Sequence, residues 1–385
     1  MNFDLQWLLL GLPIAFALGW LGSRLDLRQW KREQHDSPKA YFKGLNLLLN
    51  EQQDKAIDAF IEAVQHDPDT SDLHFALGNL FRRRGEYERA VRVHQHLVSR
   101  ADLPRAERDR AQYALAQDFM KAGLFDRAEE AYRSVEGTAF DTEARLALLT
   151  LHERSRDWRA AVEVAQKLER SGTASFASRI AHYWCEIALE ADARQQTAEA
   201  DEALHSARAA APNASRPLVL AGQRAHSRGG HTLALQLWGE LLAAHPTAFN
   251  LVARDYAASA LASGEQAAAL ERVQALYRRA PTMDLLAAIA TLDPAPAAQR
   301  RRLLTHLQEQ PTLSAAQELL RQTAGDSAAL SADEAQSLRA AVSRAAKPLQ
   351  RYRCAACGFE AQHYFWQCPG CLSWDSYPPQ RLEDL

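Results

Sequence analysis

Cysteine is scarce in this chain: there are five in 385 residues, and four of them fall between positions 354 and 371. So few thiols, so clustered, exclude a disulfide scaffold and fit a reducing compartment with one metal site. Surplus charge of either sign is also missing, since the formal net charge is −3. That excludes a nucleic-acid binder whose affinity rests on a basic field. Catalytic signatures are absent as well: there is no GxSxG, no Walker loop and no HExxH. The many Asp and Glu residues read as solvated charges on helix surfaces, and no enzyme is expected.

What is present is apolar material, 47% of the residues. This is enough for two or three compact domains or one elongated array, and it argues against global disorder. The first such stretch, residues 5–22, reads LQWLLLGLPIAFALGWLG and contains no charge. As a helix it would reach ~27 Å, near the hydrocarbon thickness of a bilayer. Trp7 and Trp20 lie near its ends, where aromatic rings favour the membrane interface. A cleaved signal peptide is disfavoured because only Asp4 and the amino terminus precede the run, and a buried core helix is the other reading. A retained single-pass anchor over 1–23 is therefore expected. Arg24, Arg28, Lys31 and Arg32 follow it and place the bulk of the chain on the cytoplasmic side, with the N-terminus periplasmic. Gly11, Ala15, Gly19 and Ser23 recur every four residues and form a small-residue strip suited to a second transmembrane helix.

After a basic linker, 24–37, the chain repeats itself. Gly44 and Gly78 are 34 residues apart, as are Ala56 and Ala90, Phe60 and His94, Ala200 and Ala234, and Pro212 and Pro246. Small, aromatic and proline positions recurring with this period resemble the tetratricopeptide repeat. Each unit is then two antiparallel helices, with a small residue where they cross and proline ending the second. Ala128, Ala161 and Ala269 occupy the alanine slot of further units, so the array spans about 38–312. Residues 313–346 read as a last helical pair that caps it, with Ser331 as an N-cap. By the repeat pattern, Asn79, Arg82 and Arg83, and later Gln117 and Lys121, face inward and offer donors and cations to an acidic or extended segment. Cys185, in HYWCEIAL, reads as a buried small hydrophobe.

The C-terminal segment 347–385 carries the strongest chemical signal. Cys354, Cys357, Cys368 and Cys371 give C-x2-C-x10-C-x2-C. Each CxxC turn aims two thiolates at one point, and two such turns close a tetrahedron around a soft or borderline cation. CxxCGF with CPxC resembles a rubredoxin-type knuckle with a shorter loop. The ion is zinc or iron, and four ligands leave no open position for catalysis. Tyr352, Phe359, Tyr364, Phe365, Trp366 and Trp374 crowd this segment, some as its small core and the rest to dock it on the repeats.

The expected architecture is all-α: an N-terminal transmembrane helix, a tetratricopeptide-repeat α-solenoid and a four-cysteine rubredoxin-like zinc ribbon. That order, with NEQQDKAIDAF, LGNLFRRRGEYERA, AGLFDRAE, YRCAACGF and FWQCPGC, resembles the lipopolysaccharide assembly protein B family of Gram-negative bacteria. The resemblance covers essentially the whole chain and is strongest in the first three repeats and the knuckle. It implies an inner-membrane adaptor that regulates lipopolysaccharide synthesis. The partners it implies are a membrane AAA metalloprotease, the lipid A deacetylase whose proteolysis is promoted, and an inner-membrane regulatory protein that restrains the adaptor. A homodimer is left open, and no nucleic acid is expected. The alternative is a non-proteolytic scaffold that gathers synthesis and transport proteins.

Overall fold

The computed structural model describes residues 42–323 apart from 48, 51, 67–69, 173 and 311, then 339 and 342–385, together with Phe16 and Trp20. The chain divides into two compact units, Met1–Asp157 and Trp158–Leu385. The first contains helical residues 42–47 and then α1 (Gln53–His66), α2 (Ser71–Arg84), α3 (Tyr87–Ser99), α4 (Arg105–Ala122), α5 (Phe125–Arg133) and α6 (Asp141–Ser155). The second begins with α7 (Trp158–Arg170), α8 (Ala177–Ala193), α9 (Thr197–Ala210), α10 (Ser215–Ser227) and α11 (His231–Ala244). A 3-10 turn (Ala248–Leu251) leads into α12 (Ala253–Ser263), α13 (Gln266–Arg279), α14 (Met283–Leu292), α15 (Pro296–Glu309) and α16 (Leu313–Thr323). A two-stranded ribbon, β1 (Tyr352–Arg353) and β2 (Glu360–Ala361), and a 3-10 turn (Leu382–Asp384) end the chain. The second helix of the expected capping pair, Ser331 included, lies largely outside the described residues.

Helices pair in chain order within each unit, α2 with α3 and α4 with α5 in the first, α8 with α9 and α10 with α11 in the second. In each pair the first is called the A helix and the second the B helix. The alanine slots explain the close approach: Ala56, Ala90, Ala128, Ala161, Ala200 and Ala234 are fully buried near the starts of α1, α3, α5, α7, α9 and α11. A methyl group is the largest side chain that lets two backbones come this near. On the A helix the same contact is made by glycine. An added Cβ on Gly44 would lie 2.8 Å from the Phe60 ring, on Gly78 2.5 Å from His94, and on Gly222 2.2 Å from Trp238. Each ring sits sixteen residues beyond its glycine, so one repeat uses glycine and ring as a matched pair. Around the last of these, Trp238, Phe249, Tyr256, Val273 and Ile289 form a continuous core across α10 to α14. Cys185 is fully buried in α8, and burial pushes its thiol up to about 12, so it is an inert core residue.

One expectation is corrected. Among the described residues, no helix is long and apolar enough to cross a membrane. A span needs ~20 mostly apolar residues, and the longest described helix, α4, has 18 and carries charge from Arg105 to Lys121. The transmembrane helix expected over 1–23 lies outside the described residues except for Phe16 and Trp20. With it the single-pass inner-membrane topology is withdrawn, while the strip Gly11, Ala15, Gly19 and Ser23 lies outside the described residues.

The glycine–ring pairing gives a first prediction. Gly222→Ala forces a methyl group into the Trp238 ring and should lower stability by about 1–3 kcal/mol, read by urea denaturation. Gly239→Ala, in the middle of α11 with nothing within 4 Å, should leave stability unchanged or raise it by up to about 1 kcal/mol.

Candidate metal centre

The two cysteine turns are built by a short ribbon. β1 and β2 pair antiparallel, Tyr352 with Ala361 and Arg353 with Glu360, so the chain reverses between them and Cys354 and Cys357 sit in the reversal. Gly358 closes the turn at φ +76°, a conformation that costs a side-chain-bearing residue strain. Its amide donates to the Cys354 carbonyl at 2.8 Å, and the Cys354 amide donates to the Phe359 carbonyl at 2.9 Å. The second turn repeats this closure, with the Leu372 amide donating to the Cys368 carbonyl at 2.8 Å and Leu372 at φ +60°. A bridge between Gln367 and Trp374 holds its ends together.

The four sulfurs lie within 4.8 Å of one another. The closest pairs cross between the turns, Cys354 to Cys371 at 3.8 Å and Cys357 to Cys368 at 3.6 Å. A tetrahedron with metal–sulfur bonds of ~2.3 Å has sulfur–sulfur edges of ~3.8 Å, so the donor set fits a four-thiolate zinc or iron ion. Hydroxyls surround it: Ser376 Oγ is 3.2 Å from Cys354 Sγ, Ser373 Oγ is 3.3 Å from Cys371 Sγ, and Tyr377 OH is 3.9 Å from Cys368 Sγ. Charge is shared unequally among the sulfurs. Burial disfavours the Cys354 thiolate, but the Ser376 hydroxyl and the amides of Cys357 and Ala356 outweigh it and bring the thiol down to about 6. At Cys357 the Phe359 amide favours the thiolate, yet burial and the three neighbouring sulfurs push the thiol up to about 12. A cation among the four removes that competition, which is what such a donor set is suited to hold.

The knuckle does not stand alone. Its core, Tyr352, Cys354, Cys368 and Tyr377, packs against Leu251 of the 3-10 turn before α12, and Trp366 packs into the core around Trp238. Trp374 stacks flat on His182 of α8, with centroids 4.5 Å apart and planes 14° apart, and meets Tyr183 and Trp158 edge-on. Beside it the Asp375 carboxylate lies 2.7 Å from His182 Nε2 and accepts from Ser178 Oγ at 3.2 Å. Arg216 of α10 lies under Trp366 and Trp374 and is ion-paired with Glu186 at 2.5 Å. Farther along, Arg381 reaches Asp284 of α14 at 3.7 Å, and Glu383 accepts from the amide and hydroxyl of Ser314 in α16. Burial works against the Asp375 charge, but the hydrogen bond and charge of His182, with Ser178 and Arg216, hold its carboxyl below 3.8.

The docking residues carry a periodic signal that sequence reading missed. His182, Arg216, Asn250 and Asp284 follow one another at steps of 34 residues. They occupy one slot in successive repeats, and each faces the knuckle or its tail: Asn250 lines the crevice beside Tyr352 and Tyr364. The expected inward-facing residues of the first unit have separate fates. Arg82 donates to Asp118 at 2.8 Å, to Asn79 Oδ1 at 2.6 Å and to the Ala114 carbonyl at 3.3 Å, so Asn79 and Arg82 tie α2 to α4. Asp118 is fully buried and also lies 2.5 Å from His94 Nδ1. Arg83 and Lys121 are exposed, and Gln117 is half-buried. His363 is exposed and is not among the four clustered ligands.

Helix pairs with buried alanine slots, closed by a four-cysteine ribbon, define a tetratricopeptide-repeat protein with a rubredoxin-type metal knuckle. Residues 352–378 match the rubredoxin metal binding domain, and residues 73–109 match a tetratricopeptide repeat. The chain belongs to the lipopolysaccharide assembly protein B family. It is 31% identical over 391 residues to that protein of Escherichia coli K12, covering 98% of both chains. It is 28% identical over 401 residues to that of Haemophilus influenzae, covering 97% of this chain and 98% of the other. Among solved structures, a chain of the Naa15/Naa10 complex bound to HypK-THB is similar at 14% identity and TM-score 0.44, over 80% of this chain and 46% of that one.

Asp375 gives the second prediction. Asp375 is half-exposed, so Asp375→Asn should lower the unfolding free energy of the metal-loaded chain by only about 1 kcal/mol at neutral pH. Because its carboxyl is held below 3.8, the contribution is complete above that pH and lost as pH falls through the lower folded value. The difference between variant and parent, followed by tryptophan fluorescence, should therefore hold above the usual carboxylate range and narrow as the pH falls through and below it.

Proposed function

We propose that this chain is a non-catalytic adaptor that regulates lipopolysaccharide synthesis by promoting proteolysis of the lipid A deacetylase by a membrane AAA metalloprotease. The observation that carries the reading is family membership across 98% of both chains, repeats and knuckle together. Its partners are proteins of the lipopolysaccharide pathway: in this reading the protease, the deacetylase and an inner-membrane regulatory protein that restrains the adaptor.

Two features support an adaptor that holds another chain. In the second unit the knuckle covers the A-helix slot, and in the first unit the A helices α2 and α4 carry exposed cations. There Arg83 and Lys121 are exposed beside Gln117, and these donors suit an acidic or extended segment of a partner. Asn79 and Arg82 contribute by holding α2 and α4 in register. A scaffold that gathers synthesis and transport proteins without touching proteolysis would share these features. The lifetime of the deacetylase separates the two.

The test is depletion of the chain in its host, a block of translation, and measurement of that lifetime. Depletion should lengthen it, and the full chain should restore it. A Cys354→Ser, Cys357→Ser double variant and an Arg83→Glu, Lys121→Glu double variant should restore it poorly. An unchanged lifetime on depletion would overturn the proteolytic reading in favour of the scaffold.

A further inference from the structure

The four cysteines are not equivalent, and the difference lies in their surroundings. Cys354 is 1% exposed and Cys368 is fully buried. Cys371 is half-buried, with the Ser373 hydroxyl 3.3 Å from its sulfur. Cys357 is exposed, and it is the one sulfur of the four with no side-chain hydroxyl beside it among the described residues. Its neighbours Ala355, Ala356, Gly358 and Phe359 are exposed and uncharged, so nothing repels or covers a small reagent approaching it. A metal-bound thiolate stays nucleophilic unless hydrogen bonds draw charge from it or packing hides it. The other three sulfurs are buried or half-buried with a side-chain hydroxyl beside them, whereas Cys357 is exposed and has only the Phe359 amide.

We propose that Cys357 is an oxidation site for small hydroperoxides, with Cys368 as its resolving partner. The Cys357 thiolate attacks one peroxide oxygen, the O–O bond breaks, and the other oxygen leaves as hydroxide. The sulfur, oxidised by two electrons, becomes a sulfenic acid, and the peroxide is reduced. The Cys368 thiolate then attacks that sulfur, the S–S bond forms, and the S–O bond breaks with loss of hydroxide. The geometry favours this partner: Cys368 Sγ is 3.6 Å from Cys357 Sγ, so the pair closes to ~2.05 Å by a short movement. Two of the four ligands are thereby withdrawn, and Cys354 and Cys371 remain as a pair. The second turn runs directly into Trp374 and Asp375, so opening it loosens the stack on His182.

The experiment uses the purified, metal-loaded full chain and substoichiometric hydrogen peroxide. One arm contains dimedone to trap sulfenic acid, the other does not, and both are read by peptide mapping in a mass spectrometer with released metal measured in parallel. The expected first adduct is on Cys357, and the expected first disulfide is Cys357–Cys368, forming with metal release and a change in Trp374 fluorescence. Ser373→Ala, which leaves all four ligands in place, should raise the Cys371 adduct about tenfold, the effect of one lost charge-assisted hydrogen bond. A first adduct on Cys354, Cys368 or Cys371, a first disulfide within a CxxC turn, or oxidation that begins only after the helices unfold would overturn the proposal. So would a Ser373→Ala variant whose Cys371 reacts no faster than the parent's.

Discussion

Four sulfurs within 4.8 Å of one another cannot all be anions unless a cation lies among them. Within itself the C-terminal segment has little else to hold it: two strands of two residues each and a core of four buried side chains. A segment this small does not bury enough apolar surface to offset its own ordering. Metal binding supplies the difference, on the order of 10 kcal/mol apparent for sites of this kind. The order of dependence is therefore fixed. An ion held by the four cysteines would tie the two turns to each other, and the second turn carries Trp374 and Asp375 onto the helix surface beneath them.

That surface is a ladder made by the repeat. One position, read at steps of 34 residues, carries His182, Arg216, Asn250 and Asp284. The side chains differ because the partner differs at each rung. His182 meets an indole face and a carboxylate, Arg216 lies beneath two indoles, Asn250 faces a crevice beside tyrosines, and Asp284 takes an arginine. A repeat array usually offers this face to another chain. Here, in the second unit, it is used by a segment of the same chain, which suits a part whose work is to present a rigid surface.

Much of this was legible in the sequence, for physical reasons. Alanine and glycine at fixed offsets leave few options, because only small residues allow such helix contacts, and every alanine slot from Ala56 to Ala234 is buried as read. The cysteine spacing was equally direct, since thiolates of that pattern have one common use. The docking ladder was harder to see. A charged residue on a helix looks the same whether it meets water, a buried Asp118 or a returning tryptophan. Arg82 and Arg216 were therefore indistinguishable from Arg83 until their partners appeared. The apolar run at the N-terminus shows the opposite risk. Composition and length suggested a membrane span, and among the described residues no helix has those properties.

The central claim is that the metal organises the helix face as well as the knuckle. Hydrogen exchange on the full chain, with the ion bound and after chelation, tests it most directly. Loss of amide protection spreading from 352–378 into α8 around His182 and α10 around Arg216 is the predicted result. Protection lost only within 352–378, with α8 and α10 unchanged, would contradict it.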